Sequence, residues 1–458
     1  MQRCPKCPGT NSCVPGDGPE CKEHLFLLEA PGPTENRRGI PLVGKTGDET
    51  NRQYFPIAGL KRENVRVDNC IHCLPVTQDG KLDIKRKIDL ELLESCTTTH
   101  LYPYLERVKP RLIVSMGAFA CHALDPEISL DMHHGIPQKT CWGTVFPMYH
   151  PAGGIHEPKK MLQIRTDWTR LRKYFLGKLY IPKDIHKSPQ YEEVTSCIHL
   201  DSILAGCNDY IMACDTEVMR GGKPFCLTFS IQEGAGYLIR AERLDILERF
   251  QWYIDHWENY ILFHNWLFDA LVVARMGLKF PHRRIKDTMV MAFELGNLPQ
   301  ALKTLAYREL GMEMQDFSDL VTPYSIPLAM KFLRDAYMED WPKPDPEMYR
   351  DPKTGLWKTK QPQSMSTKLK RFFTDLGKNL GKDLFTAWDN WEDSHEMIEK
   401  EIGPWPGKCI SYVPFEKVIH YACRDADATL RLWPVMKWMM SRVRKAPQEN
   451  WGKNGRVA

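Results

Sequence analysis

The segment 210–218, YIMACDTEV, has the apolar character of a core strand yet carries Asp215 and Glu217 one residue apart. Side chains of a strand alternate between its faces, so the two carboxylates point the same way. Like charges held side by side repel and raise one another's pKa, so a cation is expected between them, and a divalent metal ion is the candidate. An Asp-x-Glu pair alone is a weak signal, since salt-bridged surface acids share the pattern. It gains weight only where further oxygen ligands reach the same face from other segments.

The chain has 458 residues, room for two or three domains at about 100–200 residues each. Hydrophobic residues make up 43%, enough for buried cores. A net charge of +4 excludes a polycationic nucleic-acid coat but leaves room for a local basic groove. The start, MQRCPKCPGT, lacks the apolar core of a signal peptide, and no run approaches the roughly 18 apolar residues of a membrane span. A cytoplasmic protein without a membrane partner is therefore expected. Fifteen cysteines in a reducing compartment point to metal ligands rather than disulfides, and nine of them precede residue 142.

Strand-like runs at 111–116 and 144–149 alternate with a helix-like run at 90–108, which predicts an α/β domain over 1–180. The polar, Pro-containing IPKDIHKSPQYEE predicts a linker over 181–193. A second α/β domain is expected over 194–458, opening with a three-strand antiparallel meander. The strand YILFHN follows, and then a helix, WLFDALVVARMG, that ends at Gly277. An insertion at about 321–405 is rich in Pro and Trp. Its basic run KLKRFFTDLGKNLGK reads as a solvated amphipathic helix, with a DNA channel as the alternative.

Two further acids bear on Asp215 and Glu217. Asp269 lies in HNWLFDA, at the start of the helix after a strand, and Asp425 lies in YACRDAD, four residues after Tyr421 on one helical face. Four acids from separate segments can hold two hard cations about 3.5–4 Å apart, a geometry suited to phosphodiester cleavage. The order Asp-x-Glu, Asn-x-x-Phe-Asp, Tyr-x-x-x-Asp resembles the DEDD-type 3′–5′ exonucleases of the ribonuclease-H-like fold, in the tyrosine subclass. LPQALKTLAYRELG resembles that family's helix between its second and third motifs. The resemblance implies two Mg²⁺ or Mn²⁺ ions on Asp215, Glu217, Asp269 and Asp425. It also implies a Tyr421 that orients the attacking water, Asn265 beside the substrate strand, and a structural Asp287.

In the N-terminal part, Cys4 and Cys7 form a Cys-x-x-Cys, with Cys73 and Cys96 far downstream; spacing alone leaves Zn²⁺ and an iron–sulfur cluster both open. CPKCPGTNSCVPGDGP, LEAPGPTENRRGIPLVGKTG, VDNCIHCLP, ERVKPRLIVSMGAFA and VFPMYHPAGG stand in the order and approximate spacing of family 4 uracil-DNA glycosylases, which this region resembles. That resemblance implies a uracil-DNA-glycosylase-like α/β/α sandwich and a structural [4Fe–4S] cluster on Cys4, Cys7, Cys73 and Cys96, with Cys13, Cys21 and Cys70 as rivals. It implies that Asn69 reads the uracil edge and that His150 donates to the departing ring. Glu29 or Glu35 would position water or stabilise charge on the sugar. The family's stacking aromatic is replaced by Leu42, Leu28 stands where a glycine is usual, and Asn36 where an acid is usual. Aromatic–base stacking contributes roughly 1–3 kcal/mol per base, so this pocket is expected to hold a base less tightly or to take another modified pyrimidine.

Together these features predict a DNA-processing enzyme that joins a glycosylase-like domain to a metal-dependent exonuclease, similar to the front portion of some bacteriophage family A polymerases. DNA is the expected partner. No polymerase palm fits in the residues after Asp425, so a polymerase would be another chain or a further part of a longer one. The alternative is an exonuclease whose first domain only reads or docks DNA.

Overall fold

The computed structural model describes residues 4–5, 13–20, 23–74, 90–157, 160–296, 298–321, 323–324, 348–350, 357–359 and 409–443. The chain divides into two compact units. The first is Met1–Lys183 with Gly296–Pro299 and Tyr307–Gly311; the second takes the remainder.

The first unit is built on β1 (His24–Leu28), β2 (Arg66–Asn69), β3 (Leu112–Met116), β4 (Gln138–Thr140) and β5 (Gly143–Met148), in the sheet order β2-β1-β3-β5-β4. The first four in that order are parallel, and β4 pairs antiparallel with β5. Parallel strands covered on both faces need apolar residues at successive positions, which is the pattern of HLFLL and LIVSM. Alternation sends Leu25 and Leu27 into one layer with Ile113, Val145 and Leu105. Phe26 and Leu28 enter the other, where the Trp168 ring stacks on Phe26 and Tyr54 at 5.8 Å each. The expected helix at 90–108 is present as Leu90–Cys96 and Tyr102–Val108, joined by a π-helical turn, Thr97–Leu101.

The second unit carries β6 (Gln190–Glu193), β7 (Met212–Val218), β8 (Pro224–Ser230), β9 (Ala235–Arg240), β10 (Ile261–Phe263) and β11 (Ile285–Asp287), in the order β11-β10-β7-β8-β9-β6. The antiparallel meander is β7-β8-β9, while β10 runs parallel to both β7 and β11. β6, in a segment expected to be linker, is instead a parallel edge strand beside β9. Leu227, Phe229 and Ile239 pack one face against Ile246, Leu247 and Phe250 of the helix Leu244–Asp255. On the other face lies the 29-residue helix Phe415–Val443. It approaches so closely that a Cβ on Gly236 would stand 2.8 Å from the Cβ of Cys423. The insertion expected at 321–405 falls almost entirely outside the described residues, apart from 321, 323–324 and the antiparallel pair β12 (Met348–Arg350) and β13 (Trp357–Thr359). Among the described residues no helix is long and apolar enough to cross a membrane.

Candidate functional sites

In the first unit the expected glycosylase residues gather at the carboxyl ends of the parallel strands, where open α/β sheets place their ligand crevice. Leu28 and Asn69 are register partners on β1 and β2, so Glu29 emerges beside Asn69, and Ile71 N donates to Glu29 O at 2.9 Å. His150 follows β5. In the order β2-β1-β3-β5 it lies three strand spacings, about 14 Å, from Asn69. That span suits two side chains reaching toward one flat ring.

Asn69 is 1% exposed, and its Nδ2 is buried without a hydrogen-bond partner. A native protein seldom leaves a buried amide donor unpaired, because its desolvation costs about 1–3 kcal/mol, so this donor is suited to a ligand. His150 caps the helix Pro151–His156, its Nδ1 accepting from Ala152 N at 3.2 Å. Burial lowers its pKa to about 4, so the ring is neutral at physiological pH. With Nδ1 accepting, the single proton sits on Nε2, which becomes a donor. The ring borders a cleft of about 630 Å³ lined also by Gly117, Phe119, Leu130, Tyr149 and Lys160.

The two glutamates divide. Glu29 stands at the exposed rim, and the protein crowding its carboxyl raises its pKa. Glu35, in the helix Pro33–Arg38, spends both oxygens on the main chain: Oε2 accepts from Gly32 N at 2.5 Å and Oε1 from Leu42 N. Both bonds brace the Gly/Pro loop. Leu42, expected beside the base, is 1% exposed and packs in the cluster of Phe26, Leu28 and Tyr54. Its φ of +56° is a strained conformation for leucine, costing on the order of 1–3 kcal/mol, and the Glu35 bond at its amide holds it there. The loop also needs Gly47, since a Cβ at that position would lie 2.1 Å from Leu42 O.

Cys4, Cys73 and Cys96 are buried at 5%, 2% and 1% exposure, while Cys7 and Cys21 lie outside the described residues. Burial, the charges of Cys4 and Cys73 and the hydrogen bond that the Cys96 thiol donates to Cys4 drive the Cys96 pKa upward, against the His72 N–H that donates to its sulfur at 3.2 Å. Thiols crowded in this way are stable as thiolates only around a cation, so the donor set fits a thiolate-bound centre. Cys13 lies elsewhere, beside His72 and His100, and Cys70 is buried at the end of β2.

In the second unit β7 turns Asp215 and Glu217 toward the helix Phe415–Val443, and one oxygen each of Asp215, Glu217 and Asp425 lies within 4.8 Å of the others. Burial raises all three carboxyls and the neighbouring acids add repulsion at two of them: Glu217 to about 8, Asp215 well above its usual range, and Asp425 to about 7 through burial, against the charges of Lys303 and Arg424. The fourth expected ligand, Asp269, is 1% exposed; it falls outside the set that meets the mutual 4.8 Å limit, yet of the neighbouring charges its own raises Asp215 most. Its Oδ1 accepts from Thr216 Oγ1 at 2.6 Å, and Thr216 lies between the two β7 acids, with its side chain on the opposite face.

Tyr421 is buried beside the acids, its hydroxyl accepting from Lys303 Nζ at 3.3 Å, and burial with the surrounding carboxylates raises its pKa. Lys303, which the motifs did not single out, offsets part of the negative charge at Glu217 and Asp425. Asn265 precedes the helix Trp266–Arg275 at φ +75°, its N–H and that of Trp266 donating to Asp287 at 3.1 and 2.8 Å. A cleft of about 380 Å³ adjoins Tyr421 and Asp425, with His420, Arg424, His186 and Gln315 on its walls.

Residues 15–172 match the Uracil DNA glycosylase superfamily, so the N-terminal part of the chain carries a domain of that superfamily. Within it, the chain is similar to the type-4 uracil-DNA glycosylase of Saccharolobus solfataricus, 26% identical over 190 residues, which are 39% of this chain and 84% of that protein. The type-4 enzyme of Sulfurisphaera tokodaii is 28% identical over 36% of this chain and 81% of its own length. That of Archaeoglobus fulgidus is 29% identical over 34% and 79%.

Proposed function

We propose that this chain is a DNA-processing enzyme with two hydrolytic sites, a uracil-DNA glycosylase in the first unit and a divalent-metal-dependent 3′–5′ exonuclease in the second. The glycosylase reading is carried by the unpaired, buried Asn69 amide standing across the strand ends from a neutral His150. Similarity to type-4 glycosylases supports it.

Excision requires the base to leave the stack and enter the crevice. The Asn69 amide then reads the uracil edge, and the His150 Nε2–H donates to the ring oxygen that gains charge as the N1–C1′ bond breaks. A donor of this kind, aimed where charge develops, contributes about 10²–10³ in rate. The Glu29 carboxylate faces the positive charge appearing on the sugar and orients water toward C1′, taking its proton. Glu35 acts by holding the loop. Cys4, Cys73 and Cys96, together with Cys7, would hold a [4Fe–4S] cluster, which supplies a structural cross-link between the N-terminal segment and the sheet.

The exonuclease reading rests on three carboxylates, drawn from a strand and a helix far apart in sequence, that meet at one point with raised pKa values. The order of β9-β8-β7-β10-β11, a meander joined to two parallel strands, supports a ribonuclease-H-like assignment. Mg²⁺ or Mn²⁺ on Asp215, Glu217 and Asp425, joined by Asp269, would supply charge stabilisation for both attacking and leaving oxygens. The Tyr421 hydroxyl, fixed by Lys303, orients the attacking water, and Asn265 borders the strand. Replication or repair beside a polymerase, on another chain or in a further part of a longer one, in a phage-infected bacterial cell, is the setting this pairing suggests.

A second reading of the first unit follows from Leu42, whose side chain is buried and offers no aromatic platform: the pocket binds uracil-containing DNA without excising the base. One assay separates the readings. End-labelled DNA with a single uracil is incubated in EDTA or in Mg²⁺ and then treated with alkali. Alkali-labile product in EDTA supports excision, and a 3′ ladder only with Mg²⁺ supports the exonuclease. Uracil-dependent retention without product leaves the binding module.

A further inference from the structure

The first unit brings together three side chains that neither reading uses. Cys13, His72 and His100 each offer a ligand atom, and these atoms lie within 4.8 Å of one another. We propose that they bind a zinc ion, at a site separate from the four-cysteine set, that staples three segments of the unit together.

The ligands come from different places. Cys13 opens a loop held along β2 by Val14 N to His72 O at 2.7 Å and by the Asp17–Val67 pair at 2.8 and 2.9 Å. His72 follows β2, and His100 sits in the π-helical turn Thr97–Leu101. Single π turns are uncommon and concentrate at functional positions, because the extra residue weakens the helical bonding. Here the turn carries His100 over His72, with ring centroids 4.6 Å apart and planes 16° from parallel. His72 Nε2 lies 2.9 Å from Asp68 Oδ1. A carboxylate on the far nitrogen orients a metal-bound imidazole and leaves Nδ1 with its lone pair. The donor types also select the metal: one thiolate and two imidazoles suit a borderline ion, whereas Mg²⁺ and Ca²⁺ take oxygen.

Bond lengths of about 2.0–2.3 Å in a tetrahedron place ligand atoms roughly 3.3–3.7 Å apart. Binding therefore asks the three atoms, now within 4.8 Å, to draw together and one of the two stacked imidazoles to turn out of parallel, so that both in-plane lone pairs meet the ion. Three protein ligands leave the fourth position to water. Asn69 lies three residues before His72, so the ion would also fix the strand end that carries the base-reading amide.

The test is metal analysis of the full chain, expressed with iron and zinc and purified with excess Mg²⁺ to clear adventitious zinc from the carboxylates. Stoichiometric zinc beside iron is expected. His100→Gln, which keeps the bulk of the side chain, and Cys13→Ser should each lose the zinc while keeping iron and its visible absorption. Asp68→Asn should weaken zinc about 10–100-fold. Absence of zinc from the wild-type chain would overturn the proposal, as would zinc that survives both His100→Gln and Cys13→Ser. Loss of iron from Cys4→Ser with zinc retained would support two separate sites. A chain holding zinc but no iron would count against the cluster reading alone if His100→Gln removes that zinc, and against this proposal if it does not.

Discussion

Glu35 offers the sharpest quantitative test, because both of its oxygens accept from the main chain, at Gly32 and Leu42. In Glu35→Gln one oxygen becomes an NH₂ that faces a donor, so one charge-assisted bond worth about 1.5–3 kcal/mol is lost. The surviving bond becomes neutral and weakens by about 1 kcal/mol. The closed loop should therefore lose about 2.5–4 kcal/mol, which at 1.4 kcal/mol per factor of ten is a 60- to 700-fold rise in its opening equilibrium. Amide exchange on peptides covering 30–47 reads that constant directly, and the core strands serve as an internal reference. Glu29→Gln, whose carboxylate stands free at the rim, should leave the protection unchanged and reduce uracil excision instead. If Glu35→Gln changes loop protection less than about threefold in a folded protein, the bracing role is refuted, since even one neutral bond is worth about that much.

Three further outcomes follow from the same geometry. Excision should show no inflection near pH 6.5, because the His150 ring stays neutral down to about pH 4, and His150→Ala should cost about 10²–10³ in rate in single-turnover assays. Since its folded pKa is depressed, the unfolded chain binds the extra proton between about pH 4 and 6.5. This residue's contribution to stability is then full above pH 6.5 and lost as pH falls toward 4 in thermal melts. Asp215→Asn should abolish Mg²⁺-dependent digestion and yet raise the melting temperature in EDTA, because it removes a carboxyl that burial, and then the neighbouring acids, make costly to ionise; a lower melting temperature would refute that cost. Gly236→Ala should destabilise the second unit by about 1–3 kcal/mol in denaturant titrations, because its methyl would meet Cys423 at 2.8 Å.

Much of the architecture was legible because it rests on periodicity. HLFLL and LIVSM suit strands covered on both faces, and alternation in YIMACDTEV places Asp215 and Glu217 on one face of their strand. Asp425 and Tyr421 were accessible for the same reason, as two positions one helical turn apart. The strand β6 was not, because an edge strand of QYEE needs no hydrophobic pattern once its partner supplies the bonds. Asp269 shows a different limit. Its motif places it near the acids, and its charge does act on Asp215, but nothing in the motif indicates that one of its oxygens accepts from Thr216, on the opposite face of the same strand.

Side chains whose partner is the main chain, or another isolated side chain, leave no periodic trace. Glu29 and Glu35 read alike in a Gly/Pro loop, and only the Leu42 amide seven residues on distinguishes a brace from a free carboxylate. Leu42 is harder still, since its φ of +56° turns it into the core, and nothing in PLVG specifies that sign of φ for a leucine. The same holds for Cys13, His72 and His100, whose spacing of 59 and 28 residues matches no ligand motif. They meet only because a loop pairs with β2 and one helix takes a π turn. The residues that carry charge along regular elements are therefore readable one segment at a time. Those that set the shape of the pocket depend on backbone conformations that many sequences share, and they have to be tested by variants that remove a single contact and leave the element intact.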